Sequence, residues 1–438
     1  MERLITRLFQ GQKKNEGLDF EATEMAIRDS AHQVGGLFLE KLLNADSGGH
    51  RGTRIACGAG HDAEFVDYRT KAVLSVLSPV EIKRAYYHCP ECGVGIVPKD
   101  RDLDIVGTSF SPGVRRMMAR VGAKESFDDG REDLAELAGI TVTAKEVERV
   151  SETLGRAIEL TAGHEKAQAF SGKVIPMTPV IRQLYIAIDG TGVPVVPRES
   201  AGRKGKHEEG KSKTREAKLG CVFTQTTVDE DGYPVRDEDS TTYVGAIETA
   251  EECGKRIYAE AVRRGLHRAE KVILLGDAAA WIRGIAEEHF PEAIQIVDLF
   301  HAREHLALLG KLFYGVSSQK GKEWTQARSD DLDDGAVEKV LAAMRCLKPA
   351  SEAMGEELRK TMGYFENNIQ RMRYADFREQ GLFVGSGVVE AGCKAVIGHR
   401  LKQSGMRWSV QGANAIIALR CCQISGRWEE FWENRVAS

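Results

Sequence analysis

Apolar positions change their spacing several times along the chain, and each change marks a candidate element. From Asp19 to about Asp46, Phe20, Met25, Leu37 and Leu42 recur at roughly helical intervals, predicting an amphipathic helix broken or bent near Gly35-Gly36. Its apolar face is expected to pack within the N-terminal region, with a dimer helix as the alternative. Lys71–Val76 and Val80–Tyr87 are β-rich runs on either side of Ser78-Pro79, the pattern of a hairpin. Three helical patterns follow between Ser111 and Gly155. The second, about Asp129 to Ala138, stops at Gly139, and the third starts after Thr143, a natural N-cap. Helix, short turn, helix is the spacing of a helix-turn-helix. The candidate recognition helix, Ala144 to Gly155, offers Lys145 and Arg149 among several glutamates.

Past residue 180 the period shortens. Leu184–Ile188 is a continuous apolar run that reads as a buried strand, with Asp189 before a Gly-Thr-Gly turn. "LGCVFTQTTVDEDG" and "TTYVGAIET" are further β-rich stretches. "AEECGKRIYAEAVRRGLHRA" is helical, and "KVILLGDAAAWI" is another apolar strand ending in an acid. The order is β-β-β-α-β, then a helix, then a fifth strand in "AIQIVDLFHAREHL". Residues from about Ala302 to Met372 are largely helical, and "GSGVVEAGCKAVIGHRLKQSGMRW" is a glycine-bounded helix.

Composition narrows the class. A chain of 438 residues with 42% apolar content has room for several domains. Net charge is −4, so contact with nucleic acid would have to come from local patches. No apolar run reaches the length of a membrane span and the N-terminus lacks a signal-peptide pattern, which predicts a soluble cytoplasmic protein without membrane partners. Nine scattered cysteines argue for reduced thiols.

Two groups of residues carry chemistry. Cys89-Pro90-Glu91-Cys92-Gly93 has the spacing by which two thiolates converge on one tetrahedral metal. Cys57 and His61 would complete a structural Zn²⁺ site, with His50 and His88 as rival fourth ligands. The second group is acidic. Asp189 and Asp277 each end a strand beside a small residue, and a carboxylate there is costly unless it meets a cation. In an RNase H-like sheet the first and fourth strands are neighbours, so these two acids would face each other and share divalent metal. Glu390, near the start of the glycine-bounded helix, is the candidate third carboxylate. Ser386 and Cys393 lie near it without a sequence-local base, so a covalent nucleophile is the weaker reading.

The stretches "AIDGTGVPVVPRE", "GRKGKHEEGKSKTREAKLGCVFTQ", "LGDAAAWI", "DLFHAREHL" and "GSGVVEAGCKAVIGHRLKQSGMRW" resemble those of bacterial insertion-sequence transposases of the ISKra4 family, which belong with the DDE recombinases. The resemblance runs from about residue 55 to the C-terminus. It implies that Asp189, Asp277 and Glu390 bind two Mg²⁺ (or Mn²⁺) ions, and that Asp298 and His301 form the Asp-x-x-His element of the related Mutator-like transposases. "YYHCPECG" is similar to the family's N-terminal Cys motif, although the first pair there is more often Cys-x-x-Cys than the Cys57-x₃-His61 found here.

The expected architecture is multidomain α/β. Residues 1–54 form a helical region, 55–98 a zinc-ribbon-like β-hairpin module, and 99–175 a helix-turn-helix-like DNA-binding region. An RNase H-like catalytic core occupies 180–301 and 381–438, interrupted by a helical insertion over 302–380. The implied activity is binding of transposon ends followed by metal-dependent cleavage and strand transfer on double-stranded DNA, in a homodimer or higher oligomer. A structure-selective nuclease that never joins, or a non-catalytic DNA-binding regulator, are the alternatives. Between the first two core strands, residues 198–218 hold more Lys and Arg than Glu and lack apolar periodicity. Arg203, Lys204, Lys206, Lys211, Lys213 and Arg215 of this loop, with Arg400, Lys402 and Arg407, are the expected phosphate contacts.

Overall fold

The computed structural model describes residues 13–14, 17–172, 180–203 and 213–435. The chain divides into two compact units. One holds the described residues up to Ser151 together with those from Trp432 on, and the other spans Glu152–Phe431.

In the first unit, α1 (Phe20–Leu43) starts at the Asp19 cap and runs on through Gly35-Gly36 without the expected break. Those glycines serve contact instead. Gly36 lies so close to the hairpin turn that a β-carbon there would meet Ser78 Oγ at 1.8 Å. The predicted hairpin is present and longer on its first arm. β1 (Arg54–Ala56), β2 (Asp62–Leu74), β3 (Pro79–His88) and β4 (Gly95–Ile96) form an antiparallel sheet in sequence order. Its register pairs Leu74 with Pro79 and Val73 with Val80. Then come α2 (Pro112–Lys124) and α3 (Phe127–Ala138), which ends at Gly139 with φ 66°. α4 (Ala144–Phe170) begins with a reciprocal cap, Glu146 N–H donating to Thr143 Oγ1 and Thr143 N–H to the Glu146 carboxylate. This helix passes Gly155, where a stop was expected, and the division between the units falls inside it. Gly155 is a contact position within the second unit, for a β-carbon would meet the Ala415 carbonyl oxygen at 2.1 Å.

The second unit is built on a five-stranded mixed sheet: β5 (Ile181–Pro194), β6 (Thr214–Gln225), β7 (Thr242–Ala246), β8 (Ala269–Gly276) and β9 (Ile294–Val297). The spatial order is β7-β6-β5-β8-β9, so the first strand of the sheet lies beside its fourth. β5 pairs antiparallel with β6 and parallel with β8. Leu184–Ile188 are fully buried, as a central strand covered on both faces requires. α5 (Ala250–Arg263) and α6 (Ala280–His289) share a core with Ile186, Ile188, Val222 and Leu274. The Gly-Thr-Gly after Asp189 is not a turn. β5 continues through it in register with β6, Asp189 opposite Leu219 and Pro194 opposite Thr214.

After β9 come α7 (Leu299–Tyr314), α8 (Gln319–Asp333), α9 (Val337–Arg345) and α10 (Glu352–Glu366), so the segment expected to be helical is helical. The glycine-bounded helix is α11 (Gly387–Gly392) followed by a π-helical turn, Cys393–Gly398, and one further turn to Leu401. α12 (Val410–Ile424) lies against β7, its Asn414 and Ser425 side chains accepting the Ile247 and Tyr243 amides.

Candidate active site

Asp189 and Asp277 stand at the carboxyl ends of neighbouring parallel strands. Ile188 of β5 is in register with Gly276 of β8, so the residue after each is an aspartate. Asp189 Oδ1 accepts the Gly190 amide at 2.7 Å, and Asp277 Oδ1 accepts the Ala279 amide at 2.9 Å. Burial pushes the Asp277 carboxyl above its ordinary range. The charges of Asp189 and Glu216 add to that, against the Ala279 amide and His301. Negative charge is therefore concentrated at these strand ends, offset in part by Lys218, which pairs with Glu216 at 3.0 Å.

The end of β9 organises the rest. Asp298 is fully buried, and its amide donates to the Gly276 carbonyl at 2.9 Å. One carboxylate oxygen caps α7 by accepting the His301 amide at 2.7 Å, and the other accepts the amide of Ser386. Ser386 Oγ then donates to Glu390 Oε1 at 3.1 Å. A continuous path of hydrogen bonds thus runs from the end of β8 to the carboxylate of α11. Burial disfavours charge on His301, but Asp298, Glu304 and Asp277 outweigh it and raise its pKa.

Asp298, His301 and Glu390 bring ligand atoms within 4.8 Å of one another. Asp189, Asp277 and Glu390, the expected triad, do not form such a group among the described residues. The structure thus draws Glu390 toward the Asp-x-x-His element, while Asp277 borders both it and Asp189.

Several neighbours escaped the sequence reading. Glu216 reaches the site only through the pairing of β6 with β5, so no local pattern announces it. His305 sits one helical turn from His301, a spacing that was legible, and its ring lies 4.2 Å from that of Tyr364 on α10. The buried Tyr364 hydroxyl has no hydrogen-bond partner among the described residues. Cys393 is buried beside Asp189, and both burial and that carboxylate push its thiol pKa up.

The expected DNA contacts fare unequally. Lys204, Lys206 and Lys211 lie outside the described residues. Arg203 and Lys213 are exposed, while the Arg215 guanidinium donates to the Glu199 carbonyl at 3.2 Å. Arg400 is a correction. It is fully buried with its guanidinium 5.0 Å from the Trp408 ring centre, so it offers nothing to a phosphate backbone. Lys402 and Arg407 are exposed, and Lys402 donates to Thr191 Oγ1, two residues from Asp189. In the first unit Lys145 is exposed and paired with Glu148 at 2.9 Å, and Arg149 is exposed.

That unit holds the second cluster. Cys57, His61, Cys89 and Cys92 converge within 4.8 Å, with the Cys57 and Cys92 sulfurs 3.8 Å apart. The Ala59 amide donates to Cys57 Sγ and holds its thiol pKa below the usual range. Neither rival ligand joins them: His50 packs against the Phe65 ring at 4.9 Å, and His88 is outside the group.

A family model described as an uncharacterised protein family, UPF0236, matches residues 241–435, a span that includes Asp277, Asp298, His301 and Glu390 but not Asp189. The "UPF0236 protein in vanSb 3′region" of Streptococcus gallolyticus is 21% identical over 348 residues, covering 77% of this chain and 69% of its own. Among solved structures, the Drosophila P element transposase strand transfer complex aligns over 73% of this chain and 80% of its own at 9% identity. Its TM-score of 0.24 is too low to bear on fold or activity. The chain is therefore similar to UPF0236 proteins over its carboxyl-terminal part, where most of the acidic cluster lies.

Proposed function

We propose that the protein is a DDE transposase with an RNase H-like core, cutting and rejoining DNA at the acidic cluster of its second unit. The observation that carries this reading is the register of Ile188 with Gly276, which sets two carboxylates at the ends of adjacent parallel strands, beside the Glu390–His301–Asp298 group. The sheet order, the helical segment between β9 and α11, and the resemblance to ISKra4-family transposases support it further.

The donor set suits a hard divalent cation: oxygen ligands predominate, and Asp277 carries a raised pKa that positive charge would relieve. Asp189, Asp277, Glu390 and His301 would hold Mg²⁺ or Mn²⁺, which when bound stabilises charge on the attacking and leaving oxygens of a phosphodiester exchange. Asp298 has both oxygens engaged by backbone amides, so its role is positioning: it fixes His301 and, through Ser386, Glu390. In the first step water attacks phosphorus and the 3′ oxygen leaves as a hydroxyl. That hydroxyl then attacks target DNA while a second 3′ oxygen leaves. Lys402 and Arg407, exposed on the segment after α11, are suited to hold the phosphate backbone. The Cys57–His61–Cys89–Cys92 group, three sulfurs and an imidazole, suits a structural Zn²⁺.

The test is incubation of purified protein with Mg²⁺, DNA carrying both flanks of its gene, and a target plasmid. Joined products support the reading, cutting without joining assigns a nuclease, and neither product overturns it.

A further inference from the structure

Cys393 lies three residues after Glu390, where α11 passes into the π-helical turn Cys393–Gly398. The packing of α11 brings its side chain to Asp189. Gly392 has no β-carbon, and one there would meet the Tyr243 ring at 2.4 Å and Leu219 Cδ2 at 3.2 Å, so the helix settles directly on β6 and β7. Leu219 is the cross-strand partner of Asp189, which sets the next residue of the helix against the end of β5. Cys393 is only 7% exposed there, and its thiol donates to the Asp189 carboxylate.

The π turn has its own support. Arg420 of α12 is buried, and it donates through Nε to the Val396 carbonyl at 2.7 Å and through Nη2 to the Ala395 carbonyl. A π turn takes up about one residue more than an α turn. Continued as a plain α-helix, the segment would carry Lys402 about 180° away from Cys393, and the extra residue brings it round to about 80°. Lys402 Nζ accordingly reaches Thr191 Oγ1, two residues along β5 and on the same face as Asp189. One helical segment thus brings Glu390 to Ser386, Cys393 to Asp189 and Lys402 to Thr191.

We infer that Cys393 is a positioning residue, whose thiol fixes the rotation of the Asp189 carboxylate and ties that acid to the helix carrying Glu390. The Gly190 amide holds Asp189 Oδ1 at 2.7 Å, but a carboxylate held at one oxygen still turns, because its last torsion is broad. A second donor removes that freedom. A thiol is a weak donor, so it orients the carboxylate while leaving most of its lone pairs to a cation. Burial among β5, β6 and α11 keeps water from competing for the same oxygen. The inference rests on the reading of Asp189 as a ligand of Mg²⁺ or Mn²⁺, and it adds to that reading the group that presents this ligand.

Electron paramagnetic resonance on the full chain titrated with Mn²⁺ reads metal binding without DNA or turnover, and Asp189→Ala marks the binding that depends on this acid. Cys393→Ala and Cys393→Ser are matched in size and differ by one hydroxyl. The Ala variant is expected to bind Mn²⁺ about 10-fold more weakly than wild type, the scale of loss when a partner of a metal ligand is removed. Ser can still donate, so it should recover most of that affinity. Melting temperature without metal should fall similarly in both, since both leave the same gap. Equal Mn²⁺ affinities in the Ala and Ser variants, or in Ala and wild type, would make Cys393 plain packing and overturn the inference. Wild type that binds Mn²⁺ through Asp189 yet cuts no DNA would overturn the transposase reading alone, with the two affinities still deciding the role of Cys393. Wild type that binds no more Mn²⁺ than Asp189→Ala would overturn both.

Discussion

The two ligand clusters rest on different foundations. Cys57, His61, Cys89 and Cys92 sit on the turns of a small sheet whose local core is little more than Ala63, Ala85, Tyr87, Cys89 and Ile96. The acids of the second unit emerge from a sheet whose central strands are buried on both faces and packed under α5 and α6. Cys89 belongs both to the candidate ligand group and to the small core, so a metal bound there would be part of the fold. Asp189, Asp277 and Glu390 hang from a core that is complete without them, while the buried Asp298 is bonded into it. A metal on the first cluster would hold structure together, whereas Asp189, Asp277 and Glu390 are held by structure.

The widest separation between the two should come from Asp277→Ala. Strand cleavage is expected to fall on the order of 10³-fold or more, as when a group acting in the transition state is removed. The melting temperature of the second unit should not fall, because the substitution removes a half-buried carboxylate that its surroundings disfavour. Asp189→Ala should behave alike in cleavage. A variant that cuts normally, or that loses activity only in step with its fold, would erase the contrast.

Cys89→Ser probes the opposite side. Purified protein should carry about one zinc per chain, and the variant should lose it. Hydrogen exchange should then quicken at the β2–β3 amides near Cys89, with no change in the second unit's sheet. Metal-free wild type that keeps a protected hairpin would show that the sulfurs do no structural service.

Much of this was legible in the sequence, and the misses have physical causes. Leu184–Ile188 announces a central strand because burial on both faces demands an unbroken apolar run. The Thr143–Glu146 cap marks the start of α4 because its chemistry is local. Glycine misled in two ways. At Gly36 and Gly155 it permits close approach, yet without a partner in view it reads as a break or a stop. At Gly190 and Gly192 it lies within paired strand rather than in a turn. Both aspartates stand out in the sequence, since each ends an apolar run, but the link from Asp298 through Ser386 to Glu390 joins segments far apart in sequence. Arg400 was misread because a basic residue near a candidate site looks like a phosphate ligand until its burial is known.

Asp298→Ala tests whether that link is architecture. It leaves the His301 and Ser386 amides without their acceptor in a buried setting, at about 1–3 kcal/mol for each donor left unpaired. The second unit should melt earlier and cleavage should fall as well. Asp298→Asn can satisfy at least one amide through its carbonyl oxygen, so it should recover part of the stability. Equal stability of Ala and Asn variants would show that the amides do not depend on this side chain.

The smallest expected effect is a pH dependence in the second unit that owes nothing to either cluster. His289 closes α6 with its side chain buried among Tyr258, Phe170 and Phe290, and its Nε2 has no hydrogen-bond partner among the described residues. Burial lowers its pKa from the ordinary 6.5; Lys255 acts in the same direction and Glu288 opposes. The folded chain therefore keeps His289 neutral where the unfolded chain takes up a proton. Its contribution is fully present above the unfolded value and is lost as pH falls below about 6.5 toward the depressed folded value. His289→Gln removes the titration while keeping an amide of similar reach. Melting curves between about pH 7 and about pH 5 should show a shallower fall for the variant than for wild type. His305, also lowered by burial, persists in both proteins, so the difference isolates His289. Identical slopes would mean that His289 takes up its proton as readily folded as unfolded.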